Sequence, residues 1–334
     1  MTVTTVVYSE DHIEKLREFF GDKERNEQLR NILGDFPDPK GINQLDEASI
    51  GELHIQVIKK LLQDIYLSYR IELTKWSKVT KQTAIVDPEY LSMHVVSLFA
   101  GVPGSGTAAR GFDLSDGSEV KSCSRVAQLG KCKKCGAPVM VFEEKCGICG
   151  SEDVERKFDS HWIISLRTDE EVQQLLSRPV IYLVLLDYED VEKRDIIRIR
   201  IWKLDPSDKF VQVFFRDYYF EEYFKKRVKK GESPAPCNLH PDKPLTKSLK
   251  PALLFVGKIN LPDSKISIEL IDSYGTPEKI SSSEARGLLS KSRNFFKKVV
   301  DLGLQSDYKR RSRELMEESE RELEEFMERS NNKV

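Results

Sequence analysis

The apolar positions of the chain alternate between two spacings, and the blocks they mark follow one another in a definite order. Residues 9–34 and 46–80 carry helical spacing. In "LHIQVIKKLLQDIYLSYRIEL", Leu53, Val57, Leu61, Ile65 and Tyr69 recur on one face. "DFPDPKG" (35–41) parts the two stretches with prolines and a glycine. Residues 1–85 are therefore expected to form a helical region, and no candidate chemistry lies in it. Asp87 offers an N-cap, Pro88 suits a first helical turn, and "EYLSMHVVSLFA" carries the helix to about Ala100.

Beyond a glycine-rich connector, "GVPGSGTAARG" (101–111), the period shortens. Two strands are expected around a turn in "GFDLSDGSEVKSCSRV" (111–126), and a cysteine-rich insertion follows. "HWIISLRT" (161–168) is a strand candidate, and "DEEVQQLLSR" (169–178) a helix opened by Thr168 or Asp169. "PVIYLVLLDYED" (179–190) is a strongly apolar strand, and "DIIRIRIWKLD" (195–205) alternates as a half-buried strand does. The order is helix, hairpin, strand, helix, strand, an α/β (α+β) arrangement with a small module spliced in. Residues 206–280 are mixed, with strands expected at "ALLFVGKI" and "KISIELI", and helices are expected across 281–334. No internal repeat is visible.

Composition narrows the classes. Lys and Arg number 53 and Asp and Glu 55, so the net charge is only −2 and any basic surface must be local. The longest apolar runs, such as "VIYLVLL" (180–186), fall far short of the ~20 residues of a membrane helix. The amino terminus lacks the basic start, apolar stretch and small-residue site of a secretory signal. An intracellular, cytoplasmic protein with no membrane partner is expected. Four of the six cysteines lie between Cys132 and Cys149, while Cys123 and Cys237 stand apart. That clustering argues for metal rather than for a disulfide framework.

The hairpin concentrates charge where a strand ordinarily carries core residues. Asp113, Asp116, Glu119 and Lys121 crowd beside Phe112, Leu114 and Val120. A two-residue Asp116-Gly117 turn would pair Leu114 with Glu119 and leave Asp113 on the opposite face. A three-residue loop, with Gly117 left-handed, pairs Asp113 with Glu119 and is the favoured register. Alternation sets Glu119 and Lys121 on one side in either case. Two facing carboxylates repel. A hard divalent cation relieves that repulsion, and magnesium commonly uses one or two protein carboxylates. A lysine alongside can hold a water and stabilise charge developing on a phosphorane, which suits phosphodiester hydrolysis. The same residues also fit a plain surface turn beside a solvated strand face.

"GFDLSDGSEVKS" resembles the active-site hairpin of the PD-(D/E)XK nuclease superfamily, with Asp113 as first acid and Glu119-Val120-Lys121 as the (D/E)-x-K tripeptide. The wider run "SLFAGVPGSGTAARGFDLSDGSEVKS" is similar to type II restriction endonucleases, and the cysteine module resembles that of the group typified by MamI. The superfamily core is a helix, three strands, a helix and a fourth strand, which residues 88–187 match once the cysteine insertion is removed. The resemblance implies that Asp113 and Glu119 bind Mg2+, with the Val120 carbonyl, and that Lys121 orients or activates the attacking water. Phe112 replaces the eponymous proline, and the spacing of six from Asp113 to Glu119 leaves room only for a tight turn. Were Asp116 the first acid, the strand order would have to differ. The implied domains are a helical region (1–85), a nuclease core (86–205) interrupted by a zinc ribbon (131–156), a mixed region that could contact DNA (206–280) and C-terminal helices (281–334).

"CKKCGAPVMVFEEKCGICGS" gives two C-x2-C knuckles formed by Cys132, Cys135, Cys146 and Cys149. Gly136 and Gly150 let the backbone bend around the metal, and four soft ligands favour tetrahedral Zn2+ with no open position. So small a module cannot build an adequate core, which makes the metal a fold staple. Lys131, Lys133 and Lys134 on the first knuckle, and Arg125 before it, are candidate phosphate contacts or plain solvated charges.

Weaker signals complete the reading. "GVPGSGT" lacks the lysine of a phosphate-binding loop and follows a helix rather than a strand. "YYFEEYFKKRVKKG" (218–231) interleaves aromatic and basic residues, a pattern that serves either nucleic acid or a core with a wet face. Cys237 and His240 could form a small site or be structural. Glu89 could add an acid to the metal site or simply complement its helix dipole. Tyr308, Leu315, Leu323 and Phe326 trace a thin apolar stripe near the C-terminus.

The resulting expectation is a prokaryotic, homodimeric, Mg2+-dependent endonuclease that cuts double-stranded DNA at specific sites to 5′-phosphate and 3′-hydroxyl ends. The alternatives are a repair or junction-resolving nuclease on the same core and a non-catalytic zinc-ribbon protein that binds nucleic acid.

Overall fold

The computed structural model describes residues 8–86, 89–106, 112–124, 126, 129–140, 143, 145–155, 157, 162–164, 169–208, 211, 215, 237–238 and 251–271. Two compact units emerge, one from Met1–Arg156, Ile181–Lys203 and Ala252–Tyr274, the other from Lys157–Val180, Leu204–Pro251 and Gly275–Val334.

The first unit begins with helices α1 (Glu10–Gly21), α2 (Lys23–Leu33), α3 (Pro39–Gln44) and α4 (Glu47–Leu61). Each starts where a short polar side chain takes an orphan amide: Ser9, Asp22, Asp38 and Asp46 accept from His12, Arg25, Gly41 and Ser49. Such caps contribute about 1 kcal/mol apiece. The proline-rich break at 35–41 is thus partly helical, because Pro39 sits at a helix start where its missing N–H is harmless.

A π-helical stretch, Leu62–Leu67, joins α4 to α5 (Ser68–Thr80). This overturns part of the expected stripe. Leu53 and Val57 are buried, but the wider turn rotates the face so that Leu62, Tyr66 and Leu67 go inside while Ile65 and Tyr69 are exposed. No residue of α5 is buried.

Helix α6 (Glu89–Ala100) covers one face of a five-stranded sheet, as its apolar pattern requires. Among the described residues, the first strands are β1 (Glu119–Cys123), β2 (Gly130–Cys132), β3 (Pro138–Val139) and β4 (Val154–Glu155). β5 (Ile163–Ile164) and α7 (Asp169–Leu176) follow in sequence, then β6 (Ile181–Tyr188), β7 (Ile196–Leu204), β8 (Cys237–Asn238), β9 (Ala252–Asn260) and β10 (Lys265–Leu270). The large sheet has the order β1-β6-β7-β9-β10. β1 and β6 are parallel, with Glu119 beside Ile181 and Lys121 beside Leu183, while β7, β9 and β10 pair antiparallel. Ile58, Val95, Phe99, Val120, Val184, Leu186, Ile197, Ile199, Ile201 and Phe255 share one core between this sheet and α4 and α6. β2, β3 and β4 form the small sheet of the cysteine module.

In the second unit the described elements are β5, β8 and α7, and β5 pairs antiparallel with β8. The strand expected over 161–168 is described only as Ile163–Ile164. The 218–231 run, His240 and the C-terminal stripe lie outside the described residues, and so do Asp87 and Pro88. Among the described residues no helix is long and apolar enough to cross a membrane.

Two histidines dock the N-terminal helices on the end of α6. His12 Nε2 lies 2.8 Å from the Phe99 carbonyl oxygen and His54 Nε2 3.0 Å from that of Leu98, so each ring donates to a carbonyl in the last turn of the helix. Tyr8 Oη lies 3.1 Å from His54 Nδ1. Burial, then the neighbouring His12, lowers the His54 imidazole from 6.5 to about 3. Between those values the unfolded chain takes up a proton that the folded chain refuses, so stability is held above pH 6.5 and falls as pH drops through that window. Thermal melts followed by circular dichroism should show a lower midpoint at about pH 4 than at about pH 7. The fall should be smaller in His54→Gln; an equal fall in both would show that another group is responsible.

Candidate active site and metal centre

The hairpin is built from the end of α6 onward. Gly101 adopts a left-handed conformation (φ 65°), and its amide and that of Val102 return to the Leu98 and Ser97 carbonyls at 3.3 and 3.1 Å. A Cβ at Gly101 would sit 3.2 Å from Leu16 Cδ2 and 3.3 Å from the Lys15 carbonyl, so glycine serves both the turn and the close packing. The connector that follows is partly ladder rather than free loop. Ser105 N donates to Asp113 O (3.1 Å), Ser115 N to Pro103 O (2.8 Å), and the Ser105 hydroxyl to Phe112 O. The first expected hairpin strand is thereby reduced to a bridge between Gly104 and Leu114.

The turn itself has the three-residue register. Leu114 N donates to Ser118 O (3.2 Å) and Gly117 N to Leu114 O (3.0 Å), with Gly117 at φ 92°. Asp116 accepts from Ser118 N at 2.9 Å and stays exposed, so it shapes the turn. With Leu114 opposite Ser118, Asp113 falls opposite Glu119. Its Oδ2 accepts the Val120 amide at 2.7 Å, which ties the first acid to the strand carrying the other two residues.

Val120 enters the core beneath α6, so Glu119 and Lys121 project from the other face of β1. Lys121 Nζ lies 2.5 Å from Glu119 Oε1, and Glu119 is only 8 % exposed. The Asp113 and Glu119 carboxylates are hard oxygen donors of the kind a divalent cation takes one or two of from a protein, and the Lys121 ammonium stands beside Glu119. Glu89 is exposed at the start of α6. Among the described residues, the cysteines are the only group of three or more ligating side chains whose ligand atoms converge.

That group is Cys132, Cys135, Cys146 and Cys149, with all four sulfurs within 4.8 Å of one another. Cys132 and Cys149 are 3.5 Å apart and Cys135 and Cys146 3.6 Å. A tetrahedral Zn–S length of about 2.3 Å requires S···S edges of about 3.8 Å, so the cage fits. Gly136 (φ 75°) and Gly150 (φ 69°) close the knuckles with amides to Cys132 O (2.8 Å) and Cys146 O (2.9 Å). Burial raises the Cys132 thiol, but the amides of Cys135 and Lys134 outweigh it and bring it down to about 6. Burial pushes the neighbouring Cys135 thiol the other way, up to about 12, so a cation would have to hold that sulfur as its thiolate. Lys131, Lys133 and Lys134 are exposed, Lys133 with its ammonium 3.1 Å from Asp153; Arg125 lies outside the described residues.

Four residues central to this architecture escaped the sequence reading. Asp187 of β6 receives Arg198 Nε and Nη2 (2.8 and 2.7 Å) and Arg200 Nη2 (2.7 Å), and Arg200 Nη1 reaches Glu143 Oε1 at 2.5 Å. The alternation "IIRIRI" read as a strand with one wet face; both arginines are buried instead. The available signal was two arginines at one spacing on β7 and an aspartate ending an apolar strand.

A family model described as MamI restriction endonuclease matches residues 75–281, more than half of the chain. Type II restriction enzyme MamI of Microbacterium ammoniaphilum is 27% identical over 158 residues, 47% of this chain and 46% of that protein. The chain thus aligns with about half the length of this curated relative. No solved structure matches.

One tetrahedral metal per chain is expected to survive dialysis and to be lost in Cys146→Ser. Elemental analysis, together with the thiolate absorption of the cobalt-substituted protein, checks both statements; a variant that keeps full metal content would remove Cys146 from the ligand set.

Proposed function

The chain belongs to the MamI restriction endonuclease family, and on that premise we propose that it is a magnesium-dependent, site-specific endonuclease of double-stranded DNA with a structural zinc. The observation that carries the reading is the single face of β1 bearing Glu119 and Lys121, with Asp113 bonded to the same strand at Val120. A PD-(D/E)XK core over residues 86–205 is supported by α6 leading into the hairpin and by parallel pairing of β1 with β6. Parallel neighbours need a crossover between them, and the helix α7 lies between them in sequence. The helical region 1–85, the ribbon 131–156, the mixed region 206–280 and the C-terminal segment 281–334 complete the proposed division.

Asp113 and Glu119 would hold magnesium, which when bound supplies charge compensation on the phosphate and acidifies a water. Lys121 holds the attacking water and stabilises negative charge on the phosphorane, sharing its ammonium between that role and Glu119 Oε1. Water adds to phosphorus, the bond to the 3′ oxygen breaks, and that oxygen takes a proton. The ends are a 5′-phosphate and a 3′-hydroxyl. Cys132, Cys135, Cys146 and Cys149 would hold zinc with no position left for substrate. Lys133, Lys134 and Arg125 are proposed phosphate contacts. Two copies related by a two-fold axis would cut both strands of a symmetric site, inside a prokaryotic cell.

Asp113→Ala and Lys121→Ala should each lower magnesium-dependent cleavage of plasmid DNA by on the order of a hundredfold or more, while binding measured in calcium is largely kept. Discrete fragments from duplex plasmid are expected. Undiminished cutting by either variant would overturn the site; cuts only at branched or damaged DNA would point to a repair nuclease, and intact DNA to a binding protein.

A further inference from the structure

The face of the sheet that presents Glu119 and Lys121 also carries the cluster that grips the cysteine module. Ile197, Ile199 and Ile201 of β7 enter the core beneath α6, so Arg198 and Arg200 point to the opposite face, as does Asp187 between its core neighbour Leu186 and Tyr188. Asp187 lies four residues beyond Leu183, the partner of Lys121, which places it about 13 Å along the sheet from the lysine.

The cluster is buried and charge-balanced. Two guanidiniums, 3% and 2% exposed, meet the Asp187 carboxylate, which is fully buried, and Glu143. Of the two acids, only Asp187 belongs to the large sheet. Glu143 lies between the two cysteine pairs, three residues before Cys146, with its other oxygen accepting Met140 N at 2.6 Å. Arg198 Nη2 also donates to the Pro138 carbonyl (3.1 Å), in the ribbon strand that pairs with β2 beside Cys132. The module's own buried core consists of Cys132, Ala137, Val139 and Cys146, two of which are ligands. So small a core leaves the metal a large share in holding Glu143 and Pro138 before the arginines, beside the Met140–Glu143 bonds and the pairing of Pro138 with Lys131.

We propose that the four-cysteine metal centre and the β1–β6 face form one coupled unit: the ligated ribbon holds Glu143 and Pro138 against Arg200 and Arg198, and these fix Asp187 on the strand beside Glu119 and Lys121. Glu143, Arg198 and Arg200 are then positioning residues rather than catalytic ones. Losing one counter-charge from a buried pair is far more damaging than losing an exposed one. Because coupling is reciprocal, disturbing the cluster must weaken the metal as loss of the metal disturbs the strands.

The inference rests on the metal reading above but not on DNA cleavage, and both of its measurements are made without DNA. In the full chain, Glu143→Gln should bind zinc about tenfold more weakly in competition with a chromogenic chelator, the size of effect that groups supporting metal ligands have. In the unaltered protein, removing zinc with a chelator should speed hydrogen exchange at Lys121 and Val184, in β1 and β6, as well as in the ribbon. Unchanged affinity in E143Q, or faster exchange confined to residues 130–155, overturns the proposal. The second measurement needs no variant and so does not depend on whether E143Q folds.

Discussion

The bond from the Val120 amide to Asp113 Oδ2, 2.7 Å long, is the contact on which the site's assembly depends. Glu119 and Lys121 are placed by alternation alone, because Val120 between them is committed to the core. Asp113 has no such guarantee. It stands before a turn, on a segment that makes a single bridge to Gly104 rather than a full strand. Its carboxylate is tied to the strand of Glu119 and Lys121 by standing in for a ladder partner at Val120. The arrangement is inexpensive in residues, since the acid proposed for the site also satisfies a backbone donor.

The sheet separates two kinds of interior. On the α6 side it is apolar and continuous with α4, and the imidazoles of His12 and His54 seal the helix end. On the other side it holds ions: Glu119 with Lys121 at one end, and Asp187, Arg198, Arg200 and Glu143 toward the other. Buried ionic groups are seldom a net source of stability against well-packed hydrophobic ones, though removing one partner is costly. They share the sheet face that carries Glu119 and Lys121, and the cysteine module supplies part of the counter-charge.

Local chemistry made much of this legible in the sequence. Residues 89–100 form the helix that their spacing announced, the three-residue loop at Ser115-Asp116-Gly117 follows from D-G and the position of the glycine, and the C-x2-C knuckles converge as their spacing demands. What could not be read were consequences of long-range pairing. Nothing in "IIRIRI" tells an observer that Asp187 and Glu143 will neutralise its arginines, since both partners are set by register and by the folding of an insertion. The pairing of β9, from residues 252–260, with β7 is likewise invisible in either strand. The π-helical stretch at Leu62–Leu67 defeated a simple stripe, because one extra residue in a turn is enough to send Ile65 and Tyr69 outward.

That outward turn has a practical corollary. Of three tryptophans, Trp76 on α5 is 64% exposed, whereas Trp162 and Trp202 are fully buried, and the Arg200 guanidinium lies 4.9 Å from the Trp202 ring centre. The molecule therefore contains its own optical reporters in distinct environments. A water-borne quencher reaches the indole on α5 first, while emission from the ring beside Arg200 senses the ionic interior of the sheet.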